Sequence, residues 1–324
     1  MSDLPAPFKI LALDGGGIRG LFSAAVISHL EEHSRARLVD HFDLVVGTST
    51  GSIIALGLAA GLSGREVLAF YEEHGPRIFG KKRRFSQLWR PKFDNEPLTD
   101  SLQGVFLQKC LNDLEVPVCV ATYEMLNAVP RVLKTDHEEG LHWGGNVLVW
   151  KAAVASCAAP MFFKPVTVDR QDLHIDGGIW ANNPVLVGIT EAKRRFGREL
   201  HEISVLSIGT CSNPPRLIPN QSMSWGLADW LRDNRLLDTV MTAQSRAAEY
   251  TADLLLGERH RRIDAELSEP VPLDDYERAE HLIERGAQEG RRHLVDVQRD
   301  FLAATAAHRP SRFAVGLALR QEQE

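Results

Sequence analysis

The sequence predicts an α/β fold. Two observations carry that expectation: an apolar strand-like run followed by a glycine turn and a helical run occurs twice in the first 60 residues, and further short apolar runs alternate with helical segments up to Gly209. Helical spacing then dominates the last third of the chain.

The elements follow in order. Phe8–Leu13 alternates and then runs apolar, as a buried strand does, and ends at Asp14-Gly15-Gly16-Gly17. Leu21–Glu32 reads as a helix. Asp43–Val46 is a short buried strand, Gly47–Gly51 a turn and Ser52–Ala60 a second helix. Val116–Thr122 and Arg131–Thr135 read as strands, and Val147–Ala158 as a small-residue helix stopped by Pro160. Leu173–Asp176 is a strand end, Val185–Phe196 a helix and Ile203–Ile208 a strand closed by Gly209. Trp225–Leu256 and Leu273–Ala307 carry helical spacing, with Gly257, Gly286 and Gly290 as weak points. The expected organisation is a catalytic core over 8–213 and a helical part over 214–318 packed on it in the same domain.

Composition narrows the function. The chain has 324 residues, 44% hydrophobic and 25% charged, enough for a core that needs no metal or disulfide. Its net charge of −6 argues against a nucleic-acid polymer as partner. Cys110, Cys119, Cys157 and Cys211 are scattered without metal-ligand spacing and read as reduced thiols of a cytoplasmic protein. The first residues lack the basic and apolar regions of a signal peptide, and no apolar run approaches the ~20 residues that span a bilayer.

Three motifs fit one site. Gly47-Thr48-Ser49-Thr50-Gly51 is a G-x-S-x-G pattern between a strand and a helix. A nucleophilic serine on such a turn adopts a strained backbone and needs small flanking residues, which Gly47 and Gly51 supply. Asp14-Gly15-Gly16-Gly17-Ile18-Arg19-Gly20 offers consecutive backbone N–H groups suited to an oxyanion, with Arg19 fixing the loop or adding charge beside an anionic substrate. The same glycines match a dinucleotide fingerprint, with Asp40 as its acidic residue. Asp40, however, precedes the second strand instead of ending it, and the serine turn would go unexplained. Asp176-Gly177-Gly178 ends a strand where a carboxylate can approach another turn closely. A partly desolvated aspartate hydrogen-bonded to serine can act as its base. Taken alone, the segment reads first as a turn aspartate bonded to its own backbone.

In this order and spacing, DGGGIRG, GTSTG and DGG resemble the patatin-like phospholipases, as do Ala153–Val166 before the aspartate and Trp180-Ala181-Asn182-Asn183-Pro184 after it. The resemblance spans about residues 8–210. It implies a three-layer sandwich with a central, mostly parallel sheet. It implies a nucleophile at Ser49, a general base at Asp176 and an oxyanion hole at Gly15, Gly16 and Gly17, with no metal, no cofactor and no catalytic histidine. The activity implied is hydrolysis of acyl esters of phospholipids through an acyl-enzyme. Met241-Thr242-Ala243-Gln244 and Arg262-Ile263-Asp264 are similar to bacterial members, some of them antiphage effectors of the CBASS type switched on by cyclic nucleotides. A cyclic di- or trinucleotide activator is the partner so implied. The exposed part of Trp225–Leu256 is a candidate subunit interface of a homo-oligomer, with a core helix as the default reading.

Two alternatives stay open at this stage. A Ser–Asp–His triad would draw on His201, His260, His281, His293 or His308, which all follow Asp176. A lipid-binding scaffold would not need Ser49 or Asp176. Finally, Arg77–Lys92 holds seven basic residues and no acidic one, interleaved with Phe79, Phe85, Leu88 and Trp89. Lys81, Lys82, Arg83, Arg84 and Trp89 are the candidates for contact with an anionic membrane face or an activator.

Overall fold

The computed structural model describes residues 6–80, 90–138, 144–169, 171–211, 226, 229–230, 235–269, 271–310 and 313. Among them, β1 (Phe8–Leu13), β2 (Leu44–Thr48), β3 (Val118–Glu124), β4 (Val129–Lys134), β5 (His174–Asp176), β6 (Ile203–Ile208) and β7 (His260–Ile263) form one sheet, in the order β4-β3-β2-β1-β6-β7. The pairs β1–β2, β1–β6, β2–β3 and β6–β7 are parallel, whereas β4 and β5 run antiparallel to β3.

Side chains alternate across a strand, so a sheet covered on both faces must be apolar at every position. β1 shows this. Phe8, Ile10 and Ala12 face one layer, made by α7 (Val185–Arg195) and α8 (Arg235–Leu256). Leu11 and Leu13 face the other, larger core, packed by α1 (Gly20–Ser34), α2 (Thr50–Ala59), α3 (Gly64–Phe79), α4 (Glu96–Phe106), α5 (Val149–Ser156) and α9 (Ala279–Val297). This is the three-layer α/β sandwich expected. A short helix, α6 (Gly178–Ala181), follows β5. All ten residues of α2 are buried, so its apolar circumference reflects a core position.

The region after 214 differs from its expectation in two ways. It contributes β7 to the sheet, so it is not wholly helical. His260-Arg261-Arg262-Ile263 carries no apolar run, because Arg262, half-buried, is held there by an ion pair with Asp14. Over 273–307 the long helix is α9 alone, preceded by a short turn and followed by a π-turn at Gln298–Leu302. Gly286 and Gly290 do not weaken it. A Cβ on Gly286 would lie 2.4 Å from the Phe22 carbonyl oxygen, and one on Gly290 would lie 2.9 Å from His29 Cβ. These glycines let α9 pack tightly onto α1. In the region 225–256 the described helix begins at Arg235.

One topological detail positions the site. β4 pairs along β3 from Cys119 to Glu124 and occupies one edge of it. The opposite edge is shared: β2 pairs with Val118–Ala121, and β5, running the other way, pairs with Thr122–Glu124. The two strands therefore meet end to end. Thr48 lies opposite Ala121 and Asp176 opposite Thr122, so the residue after β2 and the last residue of β5 become neighbours.

Candidate active site

Ser49 is that residue after β2. Its backbone has φ 51° and ψ −125°, a conformation non-glycine residues rarely adopt. The turn is tight enough that a Cβ on Gly47 would lie 2.5 Å from the Gly51 carbonyl oxygen, and one on Gly51 would lie 2.2 Å from that of Leu13. Three contacts hold it. The Ser49 N–H donates to Ser156 Oγ at 2.8 Å, and Ser156 Oγ donates to the Ala121 carbonyl at 2.7 Å. Ser52 Oγ donates to the Ser49 carbonyl at 2.6 Å. The Thr48 hydroxyl ties the end of β2 to the Ala181 carbonyl at 2.6 Å.

The side chain of Ser49 donates to Asp176 Oδ2 at 2.7 Å. Both residues are buried, and the other carboxylate oxygen accepts the Gly178 N–H at 2.7 Å. Gly177 lets β5 end against β3, since a Cβ there would meet the Ala121 carbonyl oxygen at 2.3 Å. Burial raises the Asp176 pKa to about 6, while the hydrogen bonds from Gly178 and Ser49 pull the other way. The carboxylate is thus a stronger base than in water and still ionised at neutral pH. Among the described residues no histidine ring hydrogen-bonds to either group. His260 bonds to Asp253, His308 to the Ala6 carbonyl, and His174 to Thr122 and Asp172.

The glycine loop after β1 lies beside this pair. A Cβ on Gly15 would sit 3.2 Å from Ser49 Cβ. Gly15 itself donates its N–H to the Asn182 carbonyl at 2.9 Å, so that group is committed to holding the loop against the segment after β5. Gly17, with φ 57°, lines the same cavity as Ser49 and Asp176. Gly20 passes close to Thr50, where a Cβ would meet Oγ1 at 2.2 Å. Arg19 is buried and points its Nε at the Gly16 carbonyl, 3.3 Å away, which makes it a brace for the loop; burial lowers its pKa. Lys81, Lys82, Arg83, Arg84 and Trp89 lie outside the described residues.

Ser49, Asp176 and Gly17 open into a cavity walled by Phe70, Tyr71, Ile78, Phe79, Phe162 and Phe163 among other apolar groups. Tyr71 donates to the Thr50 carbonyl at 2.9 Å and accepts from Thr50 Oγ1 at 2.5 Å, which fixes the wall to the first turn of α2. Such a chamber suits a hydrocarbon chain. Cys157 also lines it. Burial, and then the Asp176 charge, push its thiol well above the ordinary range, so it stays protonated.

Several residues that support the site carry roles the sequence does not assign, although most lie in the segments quoted above. Ser156 is the only hydroxyl in the small-residue run Ala152–Ala159, a signal that could have found it. Asp14 receives both terminal nitrogens of Arg262, at 2.9 and 2.6 Å, and Arg262 also reaches Ser207 Oγ and Asp264 Oδ2. Burial opposes the guanidinium charge, but Asp14 and Asp264 more than offset it and hold Arg262 protonated. Gln244 Oε1 accepts the Asn183 N–H at 2.9 Å, and Asn182 Nδ2 donates to Ser245 Oγ at 2.9 Å, so α8 fastens the segment after β5. Elsewhere, Cys119, His137 and Glu191 bring ligand atoms within 4.8 Å of one another. The Lys134 ammonium, 2.5 Å from Glu191 Oε1, already balances that carboxylate and competes with a metal ion there.

A model of the patatin-like phospholipases matches residues 11–189. Over 269 residues the chain is 32% identical to a cGAMP-activated phospholipase of Pseudomonas aeruginosa, covering 82% of this chain and 80% of that protein. It is 34% identical over 261 residues to a cGAMP-activated phospholipase of Vibrio cholerae, with 72% and 74% covered. A cUMP-AMP-activated phospholipase of Escherichia coli is 29% identical over 252 residues, with 74% and 76% covered. The fold, the site geometry and these relatives converge: the chain belongs to the patatin-like phospholipase family and is a hydrolase of that kind.

Proposed function

We propose that Ser49 and Asp176 are the catalytic dyad of a phospholipase that cleaves acyl esters of membrane phospholipids. The observation that carries this reading is the 2.7 Å hydrogen bond from Ser49 Oγ to a buried carboxylate at the mouth of an apolar chamber. Asp176 takes the Ser49 proton as the oxygen attacks the ester carbonyl, and the proton passes to the leaving lysophospholipid. Water then attacks the acyl-enzyme by the same base, releasing the fatty acid. The Gly16 and Gly17 N–H groups, with the first amides of α2, receive the oxyanion, since Gly15 is engaged with Asn182.

The relatives named for activation by cGAMP and by cUMP-AMP support a cyclic dinucleotide switch and a place in antiphage defence. No described helix is long and apolar enough to cross a membrane, so the substrate is met at a bilayer surface, which we assign to the inner face of the cytoplasmic membrane. Lys81, Lys82, Arg83, Arg84 and Trp89 follow directly on Ile78 and Phe79, which line the chamber, and are proposed to dock there. Replacing the four basic residues by glutamate is expected to weaken binding to anionic liposomes and spare a soluble ester; equal loss on both would contradict the docking role.

Fatty-acid release from mixed phospholipid liposomes tests the function, with wild type and Ser49→Ala compared with and without a panel of cyclic di- and trinucleotides. Release by wild type alone, and stimulation by one nucleotide, is the expected result. Release that survives in Ser49→Ala would overturn the mechanism. The absence of release under every condition would favour a lipid-binding scaffold.

A further inference from the structure

A groove of about 870 Å³ runs along the β4 edge of the sheet, and none of its lining residues lines the Ser49 cavity. The successive residues Pro130–Lys134 of β4 all line it. Neighbouring side chains of a strand point to opposite faces, so a wall made of successive residues is the open edge of that strand. Lys151 of α5, Asp169, Asp172 and, at the start of β5, His174 stand on the other sides. Arg131, Lys134, Lys151 and Arg195 bring positive charge to the groove. Two of these are neutralised, Lys134 by Glu191 at 2.5 Å and Arg195 by Glu138 at 2.6 Å. The other two are not. Among the described residues the Arg131 guanidinium has no polar partner, and Lys151 Nζ meets only the Val168 carbonyl at 3.4 Å and the Trp150 ring at 5.8 Å. The Asp172 carboxylate is engaged. It accepts the Val168 and Asp169 N–H groups and pairs with His174 Nε2 at 3.0 Å.

We propose that this groove holds the cyclic dinucleotide, with Arg131 and Lys151 receiving its phosphates. The proposal rests on the reading of the chain as nucleotide-activated. Small-molecule sites commonly measure ~300–1,000 Å³, and the groove falls in that range. Pro130, Val132, Val147 and Leu148 give it apolar wall beside the uncommitted cations. That combination suits a ligand with flat bases and two phosphodiesters. β5 connects the groove to the active site. His174 Nδ1 bonds to Thr122 Oγ1 at 3.0 Å, and Asp176, at the other end of the same strand, faces Thr122 in the β3 register. A ligand seated against Asp172 and His174 therefore bears on the strand that carries the base and fixes its position against Ser49.

The test is calorimetric binding of cGAMP, cUMP-AMP and a wider panel of cyclic di- and trinucleotides to the full chain as wild type, Arg131→Ala, Lys151→Ala and Lys164→Ala. Lys164 is exposed and lies outside the groove. Each groove variant is expected to weaken binding by about 10- to 100-fold, the usual worth of a hydrogen bond to a charged group. The nucleotide concentration for half-maximal fatty-acid release should rise by the same factor. Arg131→Lys should recover part of the loss, and Lys164→Ala should match wild type. Hydrolysis of p-nitrophenyl butyrate without nucleotide should be unchanged in all of them. Wild-type affinity in both Arg131→Ala and Lys151→Ala would overturn the groove as the site and leave a nucleotide switch standing. Equal weakening in Lys164→Ala would also overturn it, because it would mark diffuse charge attraction. Failure of the underlying reading looks different: wild type hydrolyses the ester yet binds no nucleotide of the panel, which would remove the switch and the site together.

Discussion

The tripeptide Asp-Gly-Gly occurs at the ends of two strands, at Asp14 after β1 and at Asp176 closing β5. Both aspartates are 2% exposed. Their partners differ. Asp14 faces the Arg262 guanidinium through two hydrogen bonds, whereas Asp176 faces the Ser49 hydroxyl and the Gly178 N–H. Burial raises the pKa of both carboxylates to about 6, with the Arg262 charge pulling the other way at Asp14. The difference lies in what each one touches: a carboxylate bonded to a fixed cation has no hydroxyl to deprotonate and holds its partner in place. One paired with a hydroxyl in a dry pocket is a base in waiting. The same three residues thus make an anchor in one place and a reactive group in the other, and the element packed opposite decides which.

The comparison can be broken by exchanging losses. Ser49→Ala is expected to lower turnover on the order of a millionfold, and Asp176→Asn on the order of 10⁴-fold, with melting temperatures close to wild type. A folded Asp176→Asn variant with near-normal turnover would remove that residue from the mechanism. At the other turn the damage should be structural. Arg262→Met strands a buried carboxylate and is expected to cost about 3–5 kcal/mol in urea unfolding. The double variant Arg262→Met/Asp14→Leu should recover part of that loss, and full additivity would show that the two groups do not act as a pair.

A smaller effect is expected from Ser156→Ala, which leaves the buried Ser49 N–H without its acceptor. The cost is about 1–3 kcal/mol, read as roughly a 10- to 100-fold fall in kcat with KM nearly unchanged. A change confined to KM would point to a role in substrate binding. The pH dependence tests the base itself. Asp176 acts as a base only when ionised, and burial has raised its pKa to about 6. Activity on a soluble ester should therefore be lost as pH falls through about 6, by about tenfold per unit below it. A limb near the ordinary aspartate value would mean that the carboxylate is solvated during turnover.

Much of this site was legible in the sequence because it is local. The Gly47–Gly51 turn needs small residues two positions from a strained serine, and the glycine loop follows its strand directly, so each announces itself within a few residues. The pairing of Ser49 with Asp176 was legible only through the order of the motifs. The register that joins them depends on β5, a three-residue antiparallel strand too short to carry a periodic signal. Arg262 was harder still. It meets Asp14 across 248 positions, from a strand whose charged sequence reads as surface. Gly286 and Gly290 were misread for the same reason, since their purpose is the close approach of α9 to α1, which is set by another part of the chain.

The most direct measurement is mass-spectrometric mapping of a serine-directed fluorophosphonate on wild type, Asp176→Asn and Asp14→Asn. The dyad account expects a single adduct on Ser49 in wild type, slowed by orders of magnitude in Asp176→Asn. In whatever fraction of Asp14→Asn remains folded, the adduct should form at a rate far closer to wild type. Labelling at another serine, or undiminished labelling of Ser49 in Asp176→Asn, would contradict it.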